Sequence, residues 1–385
     1  MKTSRYYYID VLRIIAILMM FVYHVFMVFA AEWGWHIKNK ETSNTLLEIN
    51  YWMASFRMPL LFFVSGYISY ILLQRLSWKT FVIQRFTRLI IPTIVGTFIL
   101  VAPQIFFERK VEGNSQNYFE FYQSFLEFKW WPNGDFHWLH LWFIPYLFCY
   151  NILSIPLIHI LQKDNKFTNA LERFFRRPYS LFVFVLIAII PNSFLSVHFE
   201  TTHDLVNDIA RHSYFVFFTI AGLLFFRFQQ LIVTLEAKRR LFLKLSVLSI
   251  LLINILRWNG WEPFDMWENW IEKPQTYLFL GLQNFNAWMW VFAFLGYGKR
   301  YLNKDYRPLQ YMSAAVFPFY ILHQTVIVII AYYVVRTNDE VFLKLTFLLV
   351  VCFSITITIF HLFIWPNNTM RFLFGMKKKN QKVLK

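Results

Sequence analysis

The sequence predicts an all-α integral membrane protein of about ten transmembrane helices with both termini in the cytoplasm, and three observations carry the prediction. The 385 residues are 57% hydrophobic and 21% aromatic, with only 16% charged, a balance that soluble globular domains rarely reach. Apolar windows of about 20 residues, the length a helix needs to cross the hydrocarbon core, recur along the whole chain. The segments between those windows alternate in charge, which is how a multi-pass chain records its orientation.

Ten windows qualify, near 9–31, 56–74, 89–107, 138–162, 179–197, 213–232, 241–258, 277–297, 311–335 and 342–365. No soluble domain is left over, so residues 1–370 read as one ten-helix membrane domain and 371–385 as a basic cytoplasmic tail. Alternate segments and both tails hold 24 Lys/Arg against four Asp/Glu: Lys2 and Arg5, the stretches 75–88 and 163–177, Lys238 to Arg240, the stretch 299–307 and the tail from Arg371. The opposite segments hold 17 Asp/Glu. Lys and Arg gather on the cytoplasmic side, and an even span count then puts both termini there. Topology thus accounts for the formal net charge of +16, which removes the main argument for nucleic-acid binding. Cys149 and Cys352 fall inside apolar runs and suggest neither a disulfide framework nor a metal cluster.

The first span, Tyr8 to Phe29, carries Asp10, Arg13 and His24. It is too long for a cleavable signal and reads as a retained helix. An ionisable group inside such a run costs several kcal/mol unless it faces a polar interior. The steps from Arg13 to His24 make roughly three turns plus 20° and rise about 16 Å, which puts both side chains on one helix face. Asp10, one turn earlier, is spaced to pair with Arg13. A snorkelling Arg13 and a His24 satisfied by packing form the alternative, and spacing alone does not separate the two.

Further ionisable residues follow in later spans. Arg57 opens the second in SFRMPLLFFVSGY (55–67), His140 opens the fourth in HLWFIPY (140–146), and His323 sits near the middle of the ninth in FYILHQTVIV (319–328). On the predicted topology these three and His24 fall in the outer half of the bilayer, which points to a shared polar cavity. Gln283, Asn284 and Asn286 interrupt the eighth span, where bonding between helices is the simpler role. The outer segments 108–137 and 259–276 combine Trp130, Trp131, Trp261 and Trp267 with acidic residues. Their indole faces could stack on sugar rings, although an interfacial aromatic belt explains most of them.

Arg13 and His24, with ten residues between them, resemble the Arg-X10-His signature of the membrane acyltransferase 3 family, and SFRMPLLFFVSGY, HLWF and FYILHQTVIV follow in the order that family shows. The resemblance covers essentially the whole chain. It implies a membrane acyltransferase domain over 1–370 that moves a succinyl or acetyl group from cytoplasmic acyl-CoA to a hydroxyl of an exported glucan or other cell-envelope polysaccharide. The implied location is the bacterial cytoplasmic (inner) membrane. Acyl-CoA is then a donor substrate, with no permanently bound cofactor and no metal. Carried over residue by residue, the resemblance makes His24, Arg13 and Asp10 the catalytic group, with Arg13 also meeting CoA phosphate. Arg57, His140, Trp142, His323 and Gln324 become the substrate-binding group. A neutral imidazole suits removal of a hydroxyl proton during attack on a thioester, and a guanidinium such as Arg57 suits the developing oxyanion. The competing class is a polysaccharide or small-molecule transporter or flippase, in which intramembrane Arg and His would mark a substrate path. No matched pair of broken spans supports that class.

Overall fold

The computed structural model describes residues 6–131 and 133–379. Lys2, Arg5 and residues 380–385 of the predicted tail lie outside the described residues. Ten helices are long and apolar enough to cross a membrane, and the chain is a multi-pass, all-helical membrane protein. They are α1 (Tyr7–Met27), α2 (Asn44–Leu73), α3 (Trp78–Val111), α4 (Leu139–Leu161), α5 (Ser180–His198), α6 (Ile209–Arg227), α7 (Arg239–Met266), α8 (Pro274–Tyr301), α9 (Leu309–Val334) and α10 (Val341–Ile364). Helices are the expected solution, because in hydrocarbon every backbone N–H and C=O has to be satisfied within its own segment.

Two helices begin more than ten residues before their apolar windows. α2 starts at Asn44 rather than near 56, since its first turns carry polar residues that a hydropathy window rejects; one of them, Asn50, is buried and donates to the Tyr23 carbonyl at 3.2 Å. Arg57 therefore lies more than three turns inside α2, not at its entry as the sequence suggested. α3 starts at Trp78 rather than near 89 and contains two widened π turns, Phe86–Ile90 and Thr97–Val101. Each leads into a segment with a proline in its first positions, Pro92 and Pro103. Proline offers no N–H and crowds the carbonyl four residues back, so the turn before it opens.

The chain packs as two compact units. One is built from the residues up to Ala16, Ala54–Phe81 and Cys149–Arg307, the other from Ile17–Met53, Val82–Phe148 and the residues from Pro308. In the first unit Trp288 of α8 is buried against Phe218 at 3.8 Å between ring centres and meets Phe184 edge-on at 5.5 Å. Here α2 and α6 approach through glycine. A Cβ on Gly66 would lie 2.1 Å from the Thr219 carbonyl oxygen, and one on Gly222 would lie 2.1 Å from that of Phe63. Backbone cannot yield as a side chain does, so the crossing depends on small residues. Polar residues add bonds between helices: Asn286 Nδ2 donates to Ser246 O and Ser249 Oγ, both at 2.8 Å, the role its position suggested. The Ser65 hydroxyl donates to Asn151 Oδ1 at 3.2 Å.

In the second unit α9 is the most buried element, with Ala315 and Leu322 packed on Phe360 and Ile364 of α10. The loop over residues 28–43 is fastened at several points. Asn39 N donates to Val28 O at 2.9 Å and Ser43 N to Phe29 O at 2.7 Å. Lys38 Nζ donates to Met27 O at 2.9 Å and also to Ala30 O, placing a cation at the negative end of α1. Burial pushes the Lys38 ammonium below its ordinary pKa. The buried Lys344 ties Asn39 Oδ1, at 3.2 Å, to the Thr337 carbonyl, at 2.8 Å. These bonds hold Trp35 and His36, which the loop carries, at fixed positions.

Candidate active site

The second unit gathers four histidines around α9. His323 projects from α9 and is 1% exposed. Its Nδ1–H donates to the Tyr320 carbonyl at 2.5 Å, one turn back in the same helix. In the neutral ring Nε2 must then carry the lone pair, and that atom lies 2.8 Å from His24 Nδ1. His24 therefore donates through Nδ1 and keeps its own lone pair on Nε2. One backbone carbonyl thus fixes the tautomers of two imidazoles in series. The rings stack, 5.1 Å between centres and 18° apart, with Phe319 parallel to His323 at 6.1 Å and Trp35 parallel to His24 at 6.2 Å.

His140 meets His323 edge-on, with ring centres 5.4 Å apart. It lies in a single 3₁₀ turn, Leu139–Trp142, just before the regular part of α4. Its Nε2–H donates to the Ile321 carbonyl at 3.2 Å, and the Tyr320 hydroxyl donates to the His140 carbonyl. Leu139 has φ 42°, a left-handed conformation that costs a non-glycine residue about 1–2 kcal/mol. Such strain persists where the surroundings over-determine the backbone. Here they do so through the two bonds to α9 and a third from Leu139 N to His137 Nδ1 at 2.8 Å. Gly96 of α3 helps, since a Cβ there would lie 2.7 Å from Leu141 Cδ1. Trp142 closes the turn and packs edge-on against Tyr146 at 5.1 Å.

Gln324 follows His323 and is also buried. Its Nε2 lies 3.1 Å from His36 Nε2, and His36 Nδ1 lies 2.9 Å from Glu108 Oε2. On a neighbouring face of α9, Thr325 accepts from Gln104 Nε2 at 2.8 Å and donates to the Leu100 carbonyl at 2.8 Å.

The structure thus brings together His24, His140, His323 and Gln324 among the residues expected from sequence. Arg13 and Asp10 belong to the first unit, where they pair as expected, Nη2 to Oδ1 at 3.4 Å, both partly exposed. Arg57 also belongs to the first unit and is buried. Sequence reasoning missed His36, Glu108 and Tyr320. His36 sits in a loop, where a histidine is ordinarily solvated, and Glu108 falls one residue past the apolar window that ended at 107. Tyr320 acts through its backbone carbonyl and its hydroxyl, in a stretch that reads as plain apolar helix.

A family model described as an acyltransferase domain matches residues 6–365. Among curated proteins, glucans biosynthesis protein C of Escherichia coli strain K12 is 27% identical over 154 residues. That match takes in 40% of this chain and 38% of the relative. The corresponding protein of Escherichia coli O1:K1 / APEC gives the same figures. The matched stretch therefore spans well under half the length of these relatives. No solved structure matches.

Proposed function

This chain belongs to the acyltransferase family, and on that footing we propose that it is a transmembrane O-acyltransferase. In this reading it takes a succinyl or acetyl group from acyl-CoA on the cytoplasmic side and delivers it to a hydroxyl of an exported glucan or related envelope polysaccharide. The observation that carries the proposal is the hydrogen bond from His24 Nδ1 to His323 Nε2 at 2.8 Å, with His323 held in turn by the Tyr320 carbonyl. A base fixed by a second group, itself fixed by a third, is the arrangement that activates a weak nucleophile.

The reaction follows from that polarity. An acceptor hydroxyl gives its proton to His24 Nε2 as its oxygen attacks the thioester carbonyl carbon. The carbon–sulfur bond then breaks, and the departing CoA thiolate recovers the proton from the imidazolium, so the ester and CoA thiol form with no net proton change. The positive charge on His24 is met by the lone pair of His323. The same polarity serves a two-step route, in which His24 Nε2 attacks the thioester carbon and expels the CoA thiolate to give an acyl-histidine, and the sugar hydroxyl then takes the acyl group, its proton passing to the thiolate as the Nε2 lone pair is restored. The resemblance assigns Arg13 to CoA phosphate, as a charge-assisted donor.

Mass spectrometry of periplasmic glucans and surface polysaccharides from strains with and without the gene tests this directly. A mass increment lost with the gene is expected, and it names the acyl group and the acceptor together; identical spectra would remove the proposal. Orientation in the inner membrane with both termini cytoplasmic rests on the Lys/Arg asymmetry. A reporter fused within 259–276 is expected to signal from the periplasm and one within 163–178 from the cytoplasm. The reverse pattern would invert the assignment.

A further inference from the structure

The polarity of the hydrogen bonds around α9 says what kind of group this site receives. A carboxylate only accepts, so Glu108 requires that His36 Nδ1 carry a hydrogen. With the ring neutral, Nε2 is a lone pair, and Gln324 faces it with its amide nitrogen, 3.1 Å away. Gln324 Oε1 is left pointing the other way, buried and with no hydrogen-bond partner among the described residues. His140 reaches the same state independently: its Nε2–H is used on the Ile321 carbonyl, and Nδ1 is a buried lone pair with no partner among the described residues. Gln324 is 3% exposed and His140 is 7% exposed.

Two buried acceptors left over beside the His24–His323 pair are costly unless a donor arrives. A phosphate or a carboxylate brings no hydrogen and would set its lone pairs against theirs. A hydroxyl brings the hydrogen that each lacks. We propose that Gln324 Oε1 and His140 Nδ1 receive hydroxyl protons of the saccharide acceptor, and that the Glu108–His36 pair positions Gln324 by holding its amide in the accepting orientation. The inference rests on the acyltransferase reading for the word acceptor; to the substrate-binding role that the resemblance implies for Gln324 and His140 it adds the sense of each hydrogen bond and the pair that sets it. Glu108 and His36 are positioning residues in this scheme, since they act on the sugar through Gln324.

The test uses the full chain in detergent and measures binding rather than turnover, with a β-glucan hexasaccharide and acetyl-CoA as separate probes. Gln324→Met keeps approximate volume but offers no strong acceptor, and it is expected to weaken saccharide binding about tenfold while acetyl-CoA binding stays within about twofold. Glu108→Gln is close to isosteric but lets either His36 tautomer form, so Gln324 is no longer held to one orientation. A smaller loss, about threefold, is expected for the saccharide alone. Glu112→Gln, the same change one residue past the end of α3 in a residue paired with Arg109, is the control and should bind both probes as the parent does. Saccharide binding unchanged in Gln324→Met, or a parent protein that binds no saccharide, would overturn the inference. Should Gln324→Met lose both probes through misfolding, Glu108→Gln decides: equal loss of both probes, or of neither, is the negative result. A protein that binds saccharide as described but shows no acyl-CoA-dependent transfer would keep this site and lose the acyltransferase reading.

Discussion

Replacing His24 by Gln is expected to abolish acyl transfer while leaving acyl-CoA binding intact. The expectation comes from which nitrogen holds the lone pair. The chain of donors from His24 Nδ1 to His323 Nε2 and from His323 Nδ1 to Tyr320 O leaves basicity at His24 Nε2. Gln keeps hydrogen-bonding capacity and roughly the same volume but cannot take up a proton at neutral pH. A positioned general base is worth roughly 10² to 10⁴ in rate, so transfer should fall below detection in most assays. Purified His24→Gln protein that transfers acyl groups at near the parental rate would make His24 a packing residue and send the search for a base to His140.

How much of this was legible in the sequence depends on the range of the interactions involved. Hydropathy is a local sum, and ten windows gave ten spans. The places where it misplaced an end are those where a helix runs on through polar residues, as α2 does from Asn44. That is also why Arg57 was assigned to the entry of a helix when it lies well inside one. The cost of an ionisable group in hydrocarbon is likewise local; of the four residues it marked, His24, His140 and His323 lie together in the second unit, while Arg57 belongs to the first. What sequence could not supply was the direction of each bond. Nothing in FYILHQTVIV (319–328) says that the Tyr320 carbonyl, rather than its side chain alone, would fix two rings. Nor does the apolar window ending at 107 say that Glu108 would meet a histidine 72 positions away. The contact that fixes His36 depends on a loop held down by Lys38, which caps the end of the first helix, and by the buried Lys344, whose partner Asn39 is 305 positions away. Such capping leaves no periodic trace.

The dependence of His24 on His323 yields the second large effect. In the resting state His323 accepts a neutral hydrogen bond; once His24 is protonated the same contact becomes charge-assisted, which strengthens it when the transition state forms. A hydrogen bond to a charged group contributes about 1.5–3 kcal/mol, so His323→Leu should reduce kcat by about 10- to 100-fold with little change in KM for acyl-CoA. His323→Gln keeps an acceptor at that place and should recover part of the loss. A role in packing alone would give the opposite order, because Leu fills a buried apolar site better than Gln. The double variant separates the two more sharply still. If His323 acts only by orienting and charging His24, then adding His323→Leu to His24→Gln should cost nothing further, since a positioning residue has no effect without the group it positions. Losses that multiply in the double variant would mean that His323 meets the substrate itself, and the roles of the two rings would have to be reassigned.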